Sequence, residues 1–147
     1  MITFEFILDP NEEPQPTDYF SLGDMVVTGP QATVSSAGRT PNQAMMIFLS
    51  IVDLLDSIRN LLLDTGRSHY DFIGADSSFR ISFTKTAENK VSVVAYGVNV
   101  GETNHADLVQ SLWQATKTFL ASYGKYAENH PDLVSAVEDF KAAFHVS

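Results

Sequence analysis

Four histidines, His69, His105, His130 and His145, are the side chains best suited to proton transfer or metal ligation near neutral pH. None stands four positions from another, so the paired-histidine helix motif of zinc hydrolases is absent. The densest grouping is Glu102, His105 and Asp107, an imidazole between two carboxylates that could hold a cation or relay a proton. Acids at that spacing are equally what the positive end of a helix attracts. The catalytic reading therefore requires a pocket with convergent polar groups at the start of that helix. Ser68-His69-Tyr70-Asp71 collects hydroxyl, imidazole and carboxylate, but triads are assembled by geometry rather than from neighbours. That run reads as chance.

Other chemistries fail on spacing. Gly97-Val98-Asn99-Val100-Gly101 lies between a strand and a helix, where a phosphate loop would sit. It lacks both glycine-rich phosphate patterns, and Glu102 would repel the anion. No nucleophile elbow and no twelve-residue calcium loop occurs. The absence of cysteine excludes disulfides, thiolate zinc sites and cysteine nucleophiles, and fits a reducing cytoplasm. The expectation is a protein with no cofactor and no metal.

Charge points toward proteins. The chain carries 18 acids against 9 bases, a formal net charge of −9. Six of those acids precede the first base, Arg39. Such a field repels nucleic acid and anionic lipid and attracts basic partners, although it also serves simple solubility. Within the proline-containing front segment, Glu12, Glu13 and Asp18 adjoin the aromatic pair Tyr19-Phe20. Aromatic anchors within a charged rim are the composition of a protein-binding surface. The same pair, folded back onto the core, would be ordinary packing.

These residues need a scaffold. At 147 residues, one domain spanning 1–147 should bury roughly 70% of the surface the unfolded chain exposes. Ten Phe, five Tyr and one Trp supply apolar volume for that core. Ile2, Phe4, Phe6 and Leu8 alternate as in a half-buried strand. A hairpin is expected around Gly29-Pro30-Gln31, and another around Ala87-Glu88-Asn89-Lys90, with a short strand at Tyr70 to Ile73 before the latter. Thr40-Pro41-Asn42-Gln43 reads as a capping box opening a long apolar helix that stops at Gly66. The helix is broken by Asp53, Asp56 and Arg59, too polar to span a membrane. The N-terminus has no basic region before its apolar residues and is not expected to be a secretory signal. Gly97 to Thr103 is expected as a loop, with Thr103 or Asn104 capping a helix that closes at Gly124. A last helix starts near Pro131. The fold class is α+β: a mainly antiparallel sheet of about five strands packed against a long apolar helix and two C-terminal helices.

The succession of the apolar helix Phe48–Leu63, the strand Phe79–Phe83, the strand Val91–Tyr96 and the helix Asp107–Tyr123 resembles small bacterial immunity-type proteins. Such proteins are made beside polymorphic or contact-dependent toxins. The resemblance covers about half the chain and has no diagnostic motif, so no family residue transfers to a position here. It implies a non-enzymatic inhibitor that binds a toxin, a basic one given the charge, and blocks an essential surface. Glu12, Glu13, Asp18, Tyr19 and Phe20 are then the candidate partner-binding residues. Two other classes stay open: an adaptor that oligomerises through a hydrophobic face, and a small enzyme using His105, Glu102 and Asp107.

Overall fold

Alternation builds the first sheet. In the computed structural model, which describes residues 1–11 and 19–147, β1 (Thr3–Leu8) turns Phe4, Phe6 and Leu8 inward and Thr3, Glu5 and Ile7 outward. It pairs antiparallel with β2 (Leu22–Thr28), which continues through Gly29-Pro30-Gln31 into β3 (Thr33–Ser35). A two-residue strand, β4 (Met45–Met46), pairs with the start of β2. A second antiparallel sheet follows α1 (Ile47–Leu63): β5 (His69–Ile73), β6 (Arg80–Ala87), β7 (Lys90–Ala95) and β8 (Val98–Asn104), in that order. Two helices close the chain, α2 (His105–Ala127) and α3 (Pro131–Phe144).

The α+β class and the antiparallel pairing are therefore as expected, but among the described residues eight strands form two four-stranded sheets where one sheet of about five was expected. The reason lies in α1. Its buried residues include Phe48, Ile51, Leu54, Leu55, Ile58 and Leu61, and it packs against β1, β5, α2 and α3. A helix apolar around so much of its surface can cover the inner faces of two sheets at once. Those faces and all three helices share one hydrophobic cluster. The sheets also meet where the Gln31 N–H donates to the Val100 carbonyl at 3.1 Å.

Four boundaries differ from the sequence reading. The helix does not open at Thr40; its N-cap is Met46, without a side-chain cap. Gln43 is 1% exposed and accepts from Ser77 and Ser78 hydroxyls at 2.8 and 2.7 Å, so tertiary bonds outweigh the local capping motif. At the other end the C-cap is Asp64, extended rather than left-handed, and its carboxylate accepts the Gly66 N–H at 2.9 Å. Gly97 to Thr103 is no loop: Gly97 turns the chain at a φ of +78°, and β8 begins one residue later. Finally, α2 runs through Gly124 to Ala127, because one glycine costs a helix only about 1 kcal/mol. No helix of the described residues is long and apolar enough to cross a membrane.

Candidate functional site

The fold separates Glu102, His105 and Asp107. Glu102 lies on β8 and accepts from the Thr86 hydroxyl at 2.8 Å. Asp107 accepts from the amide of Asn104, the residue that caps α2 through its own side-chain oxygen. His105 opens α2 and borders a shallow recess lined by Leu62, Val109, Phe144 and Val146, with Asn89 and Gln110. Its Nε2 is enclosed, with no hydrogen-bond partner among the described residues. Each carboxylate thus has its own structural task, and the imidazole sits in a mainly apolar recess. Among the described residues, no three metal-ligating side chains converge.

That environment has a pH consequence. Burial holds the His105 imidazole below its ordinary value, and the Lys85 ammonium pushes the same way. A histidine whose folded form resists protonation keeps its full contribution above about pH 6.5 and loses it as the pH falls further. The expected result is a urea midpoint that declines from pH 7.5 to pH 5, with a shallower decline in His105→Gln. Equal slopes in the two proteins would show that the recess does not discriminate against imidazolium.

The run Ser68 to Asp71 gives a real hydrogen-bonded chain, though not among its own neighbours alone. Strand register sets His69 opposite Thr84 and Asp71 opposite Ser82. His69 Nε2 lies 2.9 Å from Asp71 and Nδ1 lies 2.8 Å from the Thr84 hydroxyl. Ser82 donates to Asp71 at 2.6 Å, and this bond is the main reason the Asp71 carboxyl sits below its usual range. Tyr70 points to the other face, where its hydroxyl donates to Asp53 at 2.7 Å. Burial, reinforced by that carboxylate, pushes the Tyr70 phenol upward. The His69–Asp71–Thr84 chain occupies an exposed sheet face away from the His105 recess. It is an orientation network of cross-strand pairs.

Of the candidate partner-binding residues, Glu12, Glu13 and Asp18 lie outside the described residues. Tyr19 and Phe20 take opposite roles. The Tyr19 ring meets His130 edge-on at 4.1 Å, and His130 stacks in turn on Phe48 at 4.7 Å. Phe20 is 69% exposed. The adjacent pair thus splits into an anchor on the core and an aromatic presented outward.

Sequence reading missed a groove between β1 and α2, about 390 Å³ in volume. Gln110, Gln114, Thr118 and Ser122 form its outer wall at successive four-residue steps of the helix, and β1 forms the other wall. The signal was present as an uncharged polar stripe beside the apolar face of α2, but nothing local said which element would lie opposite it. No known protein family, curated protein or solved structure matches the chain.

Proposed function

We propose that this chain is a non-enzymatic protein-binding module of the immunity type, which neutralises a basic toxin by occupying an essential surface. One observation carries the reading: Phe20 is 69% exposed, and its neighbour Tyr19 packs edge-on against the buried His130. Aromatic side chains with large exposed area beside a core-anchored neighbour are enriched among interface hot spots. In sequence, Glu12, Glu13 and Asp18 lead directly into it, and the whole chain carries −9. Opposite fields would speed encounter with a basic protein, while the aromatic would govern how long the complex lasts. The layout resemblance supplies the inhibitor class within this reading.

The test uses a basic protein recovered on the immobilised chain from source lysate and then purified. Phe20→Ala should weaken its binding by about thirtyfold or more, as loss of a hot spot of about 2 kcal/mol implies. Thermal stability should hardly move, because the side chain is exposed. Combined Glu12→Gln, Glu13→Gln and Asp18→Asn should slow association and flatten its salt dependence. Unchanged affinity and salt dependence in both variants would remove this surface from the function.

A further inference from the structure

The free edge of β1 carries more information than its apolar lining. Asp9, opposite Leu22 in the continued register, donates its N–H to the Leu22 carbonyl at 3.0 Å. Bonded pairs in an antiparallel ladder recur at every second residue, so Ile7, Glu5 and Thr3 also direct their peptide groups toward β2. Phe4, Phe6 and Leu8 must then direct theirs away. Met25, opposite Phe6, confirms the phase: its carbonyl and N–H bond on the far side to the Ser36 N–H and hydroxyl, both at 3.0 Å. No strand among the described residues pairs with β1 on that outer side.

Every residue from Thr3 to Leu8 lines the groove, those of both strand faces alike. A strand contributes both faces to one cleft only along its edge. The opposite wall, Gln110 to Ser122, is about 18 Å long at helical rise, and Thr3 to Leu8 spans about 17 Å in extended form. The walls match in length. On the helix wall Ser111, 6% exposed, has a hydroxyl with no hydrogen-bond partner among the described residues. Unpaired strand edges invite another strand, and this one is blunted by neither lysine nor proline.

We infer that the groove between β1 and α2 takes an extended segment of the partner protein as an added strand, with an apolar residue inward and a lysine or arginine beside Glu5. This deepens the protein-binding reading above and rests on it. Among the described residues Glu5 is the sole charged side chain lining the cleft, and it lies on the outer face, with Asp24 on the adjoining strand turned the same way. A basic side chain on the added strand would stand beside the first, while inward residues would meet Ala115 and Phe119 of α2. The volume lies within the range of ligand clefts and admits a strand rather than a folded domain. A second copy of the chain would satisfy the same edge, but it would bring two charges of −9 together. Strand addition gives affinity through main-chain bonds and specificity through alternate side chains.

The experiment titrates the intact chain with three blocked hexapeptides, followed by amide NMR and hydrogen exchange. One alternates Val and Lys, one alternates Val and Glu, and one is the Val–Lys peptide with alternate amides N-methylated. The Val–Lys peptide should shift and protect the amides of Phe4, Phe6 and Leu8. N-methylation, which removes the donors, should weaken binding by about tenfold or more, as should the exchange of Lys for Glu. Glu5→Lys, an exposed replacement that leaves the fold intact, should reverse the charge preference. Shifts confined to other amides, indifference to N-methylation, or no binding by any peptide would overturn the inference. So would a dimer in which these amides are protected before any peptide is added, which would make the second copy the occupant. Phe20 lies outside the groove, so a purified basic partner that depends on Phe20 yet leaves β1 unprotected would refute strand addition alone.

Discussion

Replacing Phe48 with alanine is expected to lower stability by about 3–5 kcal/mol and the melting temperature by about 10 °C. The ring is wholly buried at the start of α1. It stacks on His130 at 4.7 Å and meets Phe119 edge-on at 5.4 Å, and Phe119 reaches Phe6 at 6.5 Å. The cavity left by alanine would thus open between α1, α2, β1 and the residue that precedes α3. Three elements held by their own backbone bonds cannot all move inward, so the void persists and the cost falls in the upper part of the usual range. The aromatic contacts add to the loss beyond simple area burial. Urea unfolding should show a lower midpoint with an unchanged slope. The variant also tests how Phe20 is held. With the stack beneath His130 gone, Tyr19 loses its seat, and partner affinity should fall even at temperatures where the variant stays folded. An affinity equal to wild type in the folded variant would show that the outward aromatic is positioned without the stack.

How much of this could be read beforehand depended on whether a pattern is answered locally. The alternation of Ile2, Phe4, Phe6 and Leu8 decides β1 by itself, since any other register would expose four large side chains. Asn104 and Asp107 give α2 its start because both partners in the cap lie within one turn. Gln43 failed for the opposite reason: its preferred partners, Ser77 and Ser78, are more than thirty residues away and invisible to a local capping rule. The same limit governs the sites. His69 and Thr84 meet only because β5 and β6 pair in one register, and the groove exists only because α2 returns beside the first strand. Residues with chemical potential were legible in sequence, while their convergence or separation was decided by long-range pairing.

Gly101→Ala supplies the second large effect, expected at about 3 kcal/mol of lost stability, or about 10 °C in melting temperature. In sequence this glycine read as the end of an incomplete phosphate loop; in the fold it terminates a bulge. Val93 pairs with Gly101 but Val94 pairs with Asn99, so Val100 is the extra residue, and its side chain is fully buried. The bulge turns Gly101 to a φ of +142°, where an L side chain is strained. A Cβ there would stand 2.9 Å from Cδ of Pro30, a ring that cannot swing aside. Pro30 belongs to the β2–β3 turn, whose Gly29 passes so near Val100 that its own Cβ would lie 2.5 Å from the Val100 carbonyl. The substitution would therefore strain one strand and prise apart the contact between the two sheets. Gly97 provides the control. Its φ of +78° carries strain too, but a Cβ there meets nothing within 4 Å, so Gly97→Ala should cost only about 1 kcal/mol. Thermal melts of both variants, with and without inorganic phosphate, separate the two roles. A threefold difference in cost with no phosphate stabilisation follows from the seam. Equal costs, or phosphate protection of wild type that either variant abolishes, would give these glycines an anion-binding role that their spacing argued against.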